Sequence, residues 1–193
     1  MLNKKFFADL IANYREQSQS RREIIAATAP ILFAAKTAIF SLHRGEEEKA
    51  RQNLETATAA LKTLQTDYPL ERLEEEGAYR AAVEEFAEAS FLEQAVLKNT
   101  LSANSEVTLN YEAYLGGLCD LVGELVRLAT NRAAAGQLEA PAELKVLADE
   151  VLAALAPANF TSYLRTKYDQ ANSHLRKLEQ MAYEIRLRQN AWA

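Results

Sequence analysis

Tyr111-Glu112-Ala113-Tyr114-Leu115-Gly116-Gly117-Leu118-Cys119-Asp120-Leu121-Val122-Gly123-Glu124-Leu125-Val126-Arg127-Leu128-Ala129 is the stretch that decides the architecture of this chain. It holds no proline and no alternating β-branched run, and its Leu and Ala content favours helix. On a wheel of about 100° per residue, Tyr111, Tyr114, Leu115, Leu118, Val122, Leu125 and Ala129 share one face, a core stripe. Asp120, Glu124, Arg127 and, just beyond, Asn131 share the opposite face at i, i+4, i+7 and i+11. Gly116, Gly117 and Gly123 flank that polar stripe. Each interior glycine costs a helix about 1 kcal/mol relative to Ala. Three so close together therefore predict the close approach of another backbone or of a ligand. Asp120 and Glu124 are like charges one helical turn apart and repel each other unless a cation is near. The stripe reads either as a solvated face with Arg127 paired to Glu124 or as half of a carboxylate site.

Outward from this segment the same helical reading covers almost the whole chain. Low Gly and Pro, 6 and 4 in 193 residues, and abundant Ala, Leu, Glu, Arg and Gln leave no candidate strand, so the fold class is all-α. The first helix is expected from about Asn3 to His43, kinked or broken at Pro30 and stopped by Gly45. The second runs from about Glu46 to Gln65, and the third from between Pro69 and Gly77 to about Asn99. After a polar loop at Ser102–Glu106, the fourth runs from about Thr108 to Ala135, stopped by Gly136. Pro141 fits the first turn of a fifth that ends near Ala156-Pro157. The sixth runs from about Thr161 to Gln189, with capping-type residues at Asn159-Phe160-Thr161. No fixed-period repeat or low-complexity linker divides the chain, so residues 1–193 read as one domain of six or seven long helices. Bundles of such long helices tend to keep apolar faces for neighbouring subunits, which points to an oligomer.

Composition excludes several classes. A chain of this length buries a core without staples, and the lone Cys119 forms no internal disulfide. Two histidines and one cysteine exclude a zinc finger. No apolar run is expected to reach the roughly 20 residues of a membrane span, and Met1–Phe7 lacks a signal-peptide core, so the expected compartment is the cytoplasm, with no membrane partner. The net charge of −5 and pI near 5.2 argue against a nucleic-acid partner.

A second set of carboxylates lies in the third helix, in Val83-Glu84-Glu85-Phe86-Ala87-Glu88. Glu85 and Glu88 share a side at i, i+3. The next segment, Ala89–Leu97, is apolar nearly all round and is therefore expected to be buried. Carboxylates at the edge of a buried segment are costly unless cations neutralise them. Two helices each presenting two carboxylates can hold a divalent ion through hard oxygen ligands, Mg²⁺ or Mn²⁺ most naturally. The alternative is that Glu85 and Glu88 are surface carboxylates near Arg80. Ferritin-like dimetal proteins need Glu-x-x-His pairs; Phe40 precedes His43 and Ala171 precedes His174 at that spacing, so this class fails. Nucleotide pyrophosphohydrolases of the MazG type use Glu-Glu-x-x-Glu followed by Glu-x-x-Asp; Glu84-Glu85-x-x-Glu88 matches the first half, whereas Asp120-x-x-x-Glu124 does not match the second. Among basic residues, Arg15, Arg22, Lys36 and His43 recur at multiples of seven along the first helix, either a solvated face or a stripe that follows a phosphate backbone. Arg80 and Arg127 each stand near a carboxylate pair. The basic residues of the sixth helix, Lys167 among them, read mostly as solvating or intersubunit charges.

The 111–129 stretch strongly resembles the signature helix of the translin superfamily, which comprises translin and its partner TRAX. The following Asn131-Arg132 and Gly136 fit as well. So does the last helix, from Leu164-Arg165-Thr166-Lys167-Tyr168-Asp169 to Leu178-Glu179 and Ala182-Tyr183-Glu184-Ile185-Arg186. The likeness is close from the fourth helix to the C-terminus and looser in the first, where Phe40-Ser41-Leu42-His43-Arg44 is similar to TRAX. The resemblance implies a bundle of about seven helices assembling into a hollow, usually octameric shell around single-stranded RNA or DNA. It also implies, for TRAX, a Mg²⁺-dependent endoribonuclease site. The Asp-x-x-x-Glu pair occurs in both branches, while the Glu85-x-x-Glu88 pair is a TRAX feature. The chain is thus expected to be a TRAX-like catalytic subunit forming a homo-oligomer, without a basic nuclear-targeting extension and so of compact prokaryotic type. On this reading Glu85, Glu88, Asp120 and Glu124 hold one or two Mg²⁺ (or Mn²⁺), which acidify a bound water and neutralise the scissile phosphate. Arg15, Arg22, Lys36, Arg80 and Arg127 are the candidate contacts to the strand. In a shell only the inner wall meets RNA, so the acidic net charge carries less weight. A non-catalytic single-strand binder and, more distantly, a pyrophosphohydrolase remain the alternative readings.

Overall fold

The computed structural model describes residues 2–97 and 100–191, with side chains as far as Gln189; the expected end of the third helix at Asn99 lies outside them. Among the described residues the elements are all helical: α1 (Lys4–His43), α2 (Glu47–Asp67), α3 (Leu70–Glu74), α4 (Gly77–Leu97), α5 (Tyr111–Ala134), α6 (Ala140–Leu155), a 3-10 turn (Ala156–Ala158) and α7 (Ser162–Ala191). The helix ends follow the sequence's punctuation. Asn3 and Asn110 cap α1 and α5 by accepting the backbone N–H groups of Phe6 and Ala113. Gly45 and Gly136, at φ +73° and +91°, take the left-handed turn that stops α1 and follows α5.

Of the kink or break expected at Pro30, the break does not occur: α1 continues through it. It sits on the exposed side, while Ile24 and Thr28 before it and Ile31, Ala34 and Ala35 after it are buried. Burial on both flanks outweighs the roughly 3 kcal/mol that an interior proline costs. A second correction concerns composition: an 18-residue stretch of α1 is apolar enough, by length and composition, to cross a membrane. In the structure 44% of that stretch is buried, its buried face lying against α2 and α4. α3 was not anticipated as a separate element; it is one turn anchored by the buried Leu73.

α1 packs on α2 and α4, and α5 packs on α6 and α7, which also meet each other. The α4–α5 seam joins these two groups of three, and α1 touches α5 only lightly. The core runs along the seam through Phe86, Leu92, Leu121, Val122 and Leu125. Of the expected core stripe of α5, Val122, Leu125 and Ala129 are buried, Tyr114, Leu115 and Leu118 are half-buried and Tyr111 is 69% exposed; the buried face is turned toward Ala113, Gly116, Gly117, Cys119, Leu121 and Leu128. The first four turns of α1 lie outside the core, and Phe6, Phe7, Leu10, Ile11 and Tyr14 are all exposed.

Candidate metal and nucleic-acid site

α4 and α5 approach closely because two glycines let them. A Cβ on Gly117 would stand 2.9 Å from both the Ala87 Cβ and the Glu88 backbone N, and one on Gly116 would collide with the Glu84 carboxylate. This close approach is what the three interior glycines predict. It brings Glu84, Glu85 and Glu88 of α4 alongside Asp120 and Glu124 of α5 at the edge of the core, all partly buried.

Each outer carboxylate has a cation. Lys167 of α7 is hydrogen-bonded to Asp120 Oδ2 and lies 2.9 Å from Glu84 Oε1. The Tyr163 hydroxyl donates to the same Glu84 oxygen at 2.6 Å. His43, at the end of α1 and only 3% exposed, is hydrogen-bonded through Nε2 to Glu124. Arg127 stands 3.6 Å from Glu124 and stacks on Phe40 at 5.0 Å. Lys36 reaches Glu85 at 3.8 Å. Glu88 lies in the middle and, among the described residues, makes no hydrogen bond or ion pair. Burial first, then the charges of Asp120, Glu85 and Glu124, push its carboxyl up to about 9. Burial also raises Glu85, with Lys36 opposing, and raises Asp120, with the Lys167 hydrogen bond opposing. Burial works against charge on Lys167, but its bonds to Asp120 and Glu84 outweigh it and hold the ammonium protonated. The Cys119 thiol beside them is pushed up to about 12, mainly by burial, and is inert.

A cavity of about 350 Å³ opens over this cluster between α5 and α7, lined by Glu88, Asp120, Glu124, Arg127, Gln170 and His174. His174 packs on Gly123, where a Cβ would come within 3.4 Å of its ring, and its Nδ1 is buried without a hydrogen-bond partner among the described residues. Burial, then Lys177, lowers the His174 pKa.

Among the described residues, no three His, Cys, Asp or Glu side chains converge tightly enough to hold a metal ion in this arrangement. The reason is visible in the pairings: His43 draws Glu124 toward α1, Lys167 draws Asp120 toward α7, and Lys36 draws Glu85 outward. The donor set nonetheless fits a hard divalent cation, since its members are carboxylate oxygens. The central Glu88, raised by burial and by its acidic neighbours, has no counter-charge in contact with it among the described residues.

The four expected carboxylates therefore come together, with Lys36 and Arg127 beside them. The other three basic candidates do not join them. Arg15 is exposed on the outlying part of α1, and Arg22 is exposed and bonded to Gln19. Arg80 donates to the Glu74 carbonyl at 2.6 Å, although it lines a neighbouring recess with Glu84 and Tyr163. His43 is a buried partner of Glu124 and not part of a solvated basic stripe. The contribution of α7 was missed. Its signal is in the sequence: Tyr163, Lys167, Gln170 and His174 repeat the i, i+4, i+7, i+11 spacing of Asp120, Glu124, Arg127 and Asn131, so two polar stripes of equal period face each other.

Comparison with known proteins agrees with this architecture. The chain superposes on the crystal structure of apo-NeC3PO with a TM-score of 0.81 at 21% identity, covering 96% of this chain and 98% of that one. It superposes on AfC3PO with a TM-score of 0.82 at 20% identity, over 94% and 97% of the two chains. For AfC3PO in complex with duplex RNA the TM-score is 0.82 at 22% identity, over 94% and 96%. Translin of Gallus gallus is 31% identical over 81 residues, 42% of this chain; the matched stretch spans only 35% of the chicken protein. The sequence profile of the Translin family matches residues 19–189, nearly the full length, and the chain belongs to that family.

Proposed function

We propose that this chain is a TRAX-like, Mg²⁺- or Mn²⁺-dependent endoribonuclease that cuts single-stranded RNA held inside a homo-oligomeric shell, an octamer by resemblance. The observation that carries the reading is the central, uncompensated Glu88 among Glu85, Asp120 and Glu124, at the floor of a cavity edged by Arg127. Those four carboxylates would hold the divalent cation. Such a cation, when bound, supplies charge for the phosphoryl oxygens and acidifies water.

The chain's own residues do the rest. His43 orients Glu124 from behind, and Lys167 orients Asp120. Arg127, backed by the Phe40 ring and 43% exposed, is placed to take a phosphate of the strand, and Lys36 stands at the opposite flank. Phe86, Leu121 and Val122 are fully buried, so the core side of the cluster is closed to water. Phosphate contacts of this kind make binding fall with added salt. The complex of AfC3PO with duplex RNA supports RNA as the polymer. The exposed apolar face of early α1 supports assembly.

The test is incubation of labelled single-stranded and double-stranded RNA with Mg²⁺, with EDTA, and with a Glu85→Ala/Asp120→Ala variant. Metal-dependent internal cleavage of single strands, lost in the variant while the assembly keeps its size, is the expected result. Binding without cleavage overturns the nuclease and leaves a single-strand binder. Cleavage that survives substitution of all four carboxylates overturns the site.

A further inference from the structure

The five carboxylates on the α4–α5 seam do not share their counter-charges evenly. Glu84 and Asp120, on the α7 side, share one ammonium. Lys167 Nζ is hydrogen-bonded to Asp120 and lies 2.9 Å from Glu84. The Tyr163 hydroxyl donates to Glu84 at 2.6 Å, and its ring lies 5.4 Å from the ammonium. The arrangement is enclosed: the side chains of Lys167, Glu84 and Asp120 are 17%, 16% and 26% exposed. Glu85, Glu88 and Glu124, on the other side, have only outlying cations and the imidazole of His43, and Glu88 has no partner among the described residues.

Acidic sites that act on phosphodiesters commonly gather two cations on one carboxylate set. Here one of the two places is filled from within the chain. We propose that Lys167 is a tethered substitute for a second metal ion: its ammonium permanently occupies the Glu84–Asp120 side through Asp120 Oδ2, so that each chain takes up one divalent cation, held by Glu85, Glu88, Glu124 and the other oxygen of Asp120. This rests on the reading of the cluster as a divalent-cation site.

The chemistry of the pair favours a tethered cation over a free one. A lysine ammonium carries three N–H donors and no acceptor, and here it meets two carboxylates and the face of an aromatic ring. Held by α7, it is present at high effective concentration whatever the metal concentration outside. Its removal leaves two enclosed carboxylates and a phenol facing one another, a hard-oxygen set that suits Mg²⁺ or Mn²⁺. An arginine at the same position keeps the positive charge.

The experiment counts ions. Purified wild-type protein, freed of metal with EDTA and then dialysed, is titrated with Mn²⁺, and free Mn²⁺ is read by its electron paramagnetic resonance signal. One ion per chain is expected for wild type and for Lys167→Arg, and two for Lys167→Gln, the second lost again in Lys167→Gln/Asp120→Asn. Circular dichroism checks that each variant is folded. If Lys167→Gln fails to fold, the wild-type and Lys167→Arg counts decide. Two ions on wild type overturn the proposal while leaving the cation site intact. One ion on folded Lys167→Gln also overturns it. No bound ion on wild type overturns the cation site and this proposal with it.

Discussion

Glu88→Gln should stabilise the metal-free protein, and increasingly so as pH rises. The Glu88 carboxyl titrates at about 9 in the folded chain, against 4.5 for an ordinary glutamate. Between those values the folded chain keeps a proton that the unfolded chain has released. Unfolding therefore gives up a proton, and stability falls by about 1.4 kcal/mol per pH unit through that window. From about pH 5.5 to about pH 8.5 this amounts to a ceiling of roughly 4 kcal/mol. Glutamine fills the same volume and carries no titrating proton, so the variant escapes this loss. The assay is urea unfolding in EDTA at fixed protein concentration, followed by circular dichroism across that pH range. The variant should match wild type at the acid end and draw ahead toward the alkaline end. Mg²⁺ should narrow the difference, because a ligand that binds only the folded wild type stabilises it. A difference that stays level with pH, or a variant that falls behind at the alkaline end, would refute the account of Glu88 as a neutral, uncompensated carboxyl.

Other outcomes follow from the packing. Gly117→Ala should lower stability by about 1–3 kcal/mol, since its Cβ meets backbone of α4, whereas Gly123→Ala, facing an imidazole edge at 3.4 Å, should cost far less; denaturant midpoints of the two variants check the contrast. His43→Ala releases Glu124 from its support and should weaken Mn²⁺ binding about 10- to 100-fold, read by calorimetry. Phe7→Glu/Leu10→Glu should leave the helical circular dichroism spectrum intact while reducing the mass of the assembly in light scattering, because both residues are exposed on the outlying part of α1.

The elements that sequence resolves best here are those set by local chemistry. Gly45 and Gly136 end helices because only a left-handed residue suits those turns, and this is visible without any tertiary information. Gly116 and Gly117 announce a close approach because their cost within a helix is intrinsic, and the partner proves to be α4. What sequence could not supply is which helix covers the polar face of α5. The stripe of Asp120 and Glu124 looks solvated by composition, yet α7 brings Lys167 and His174 over it, and the end of α1 brings His43. A lysine against a buried carboxylate and a lysine in water are the same letter. Pro30 fails to break its helix for the opposite reason: its penalty is local, while the burial that overrides it comes from α2 and α4. α3 is too short for a hydrophobic period to reveal it.

The partners of the acidic cluster come from far apart along the chain. His43 and Glu124 are 81 positions apart, Glu84 and Tyr163 are 79 apart, and Asp120 and Lys167 are 47 apart. A chain emerging from the ribosome N-terminus first has made α1, α4 and α5 well before it makes α7. Until then the Glu84–Asp120 side lacks its ammonium, and the two carboxylates repel. α7, made after them, thus closes the acidic cluster as well as the bundle, and a product ending before Lys167 carries the carboxylates without their ammonium. The charge balance of the seam and the closing contacts of the bundle arrive together in time.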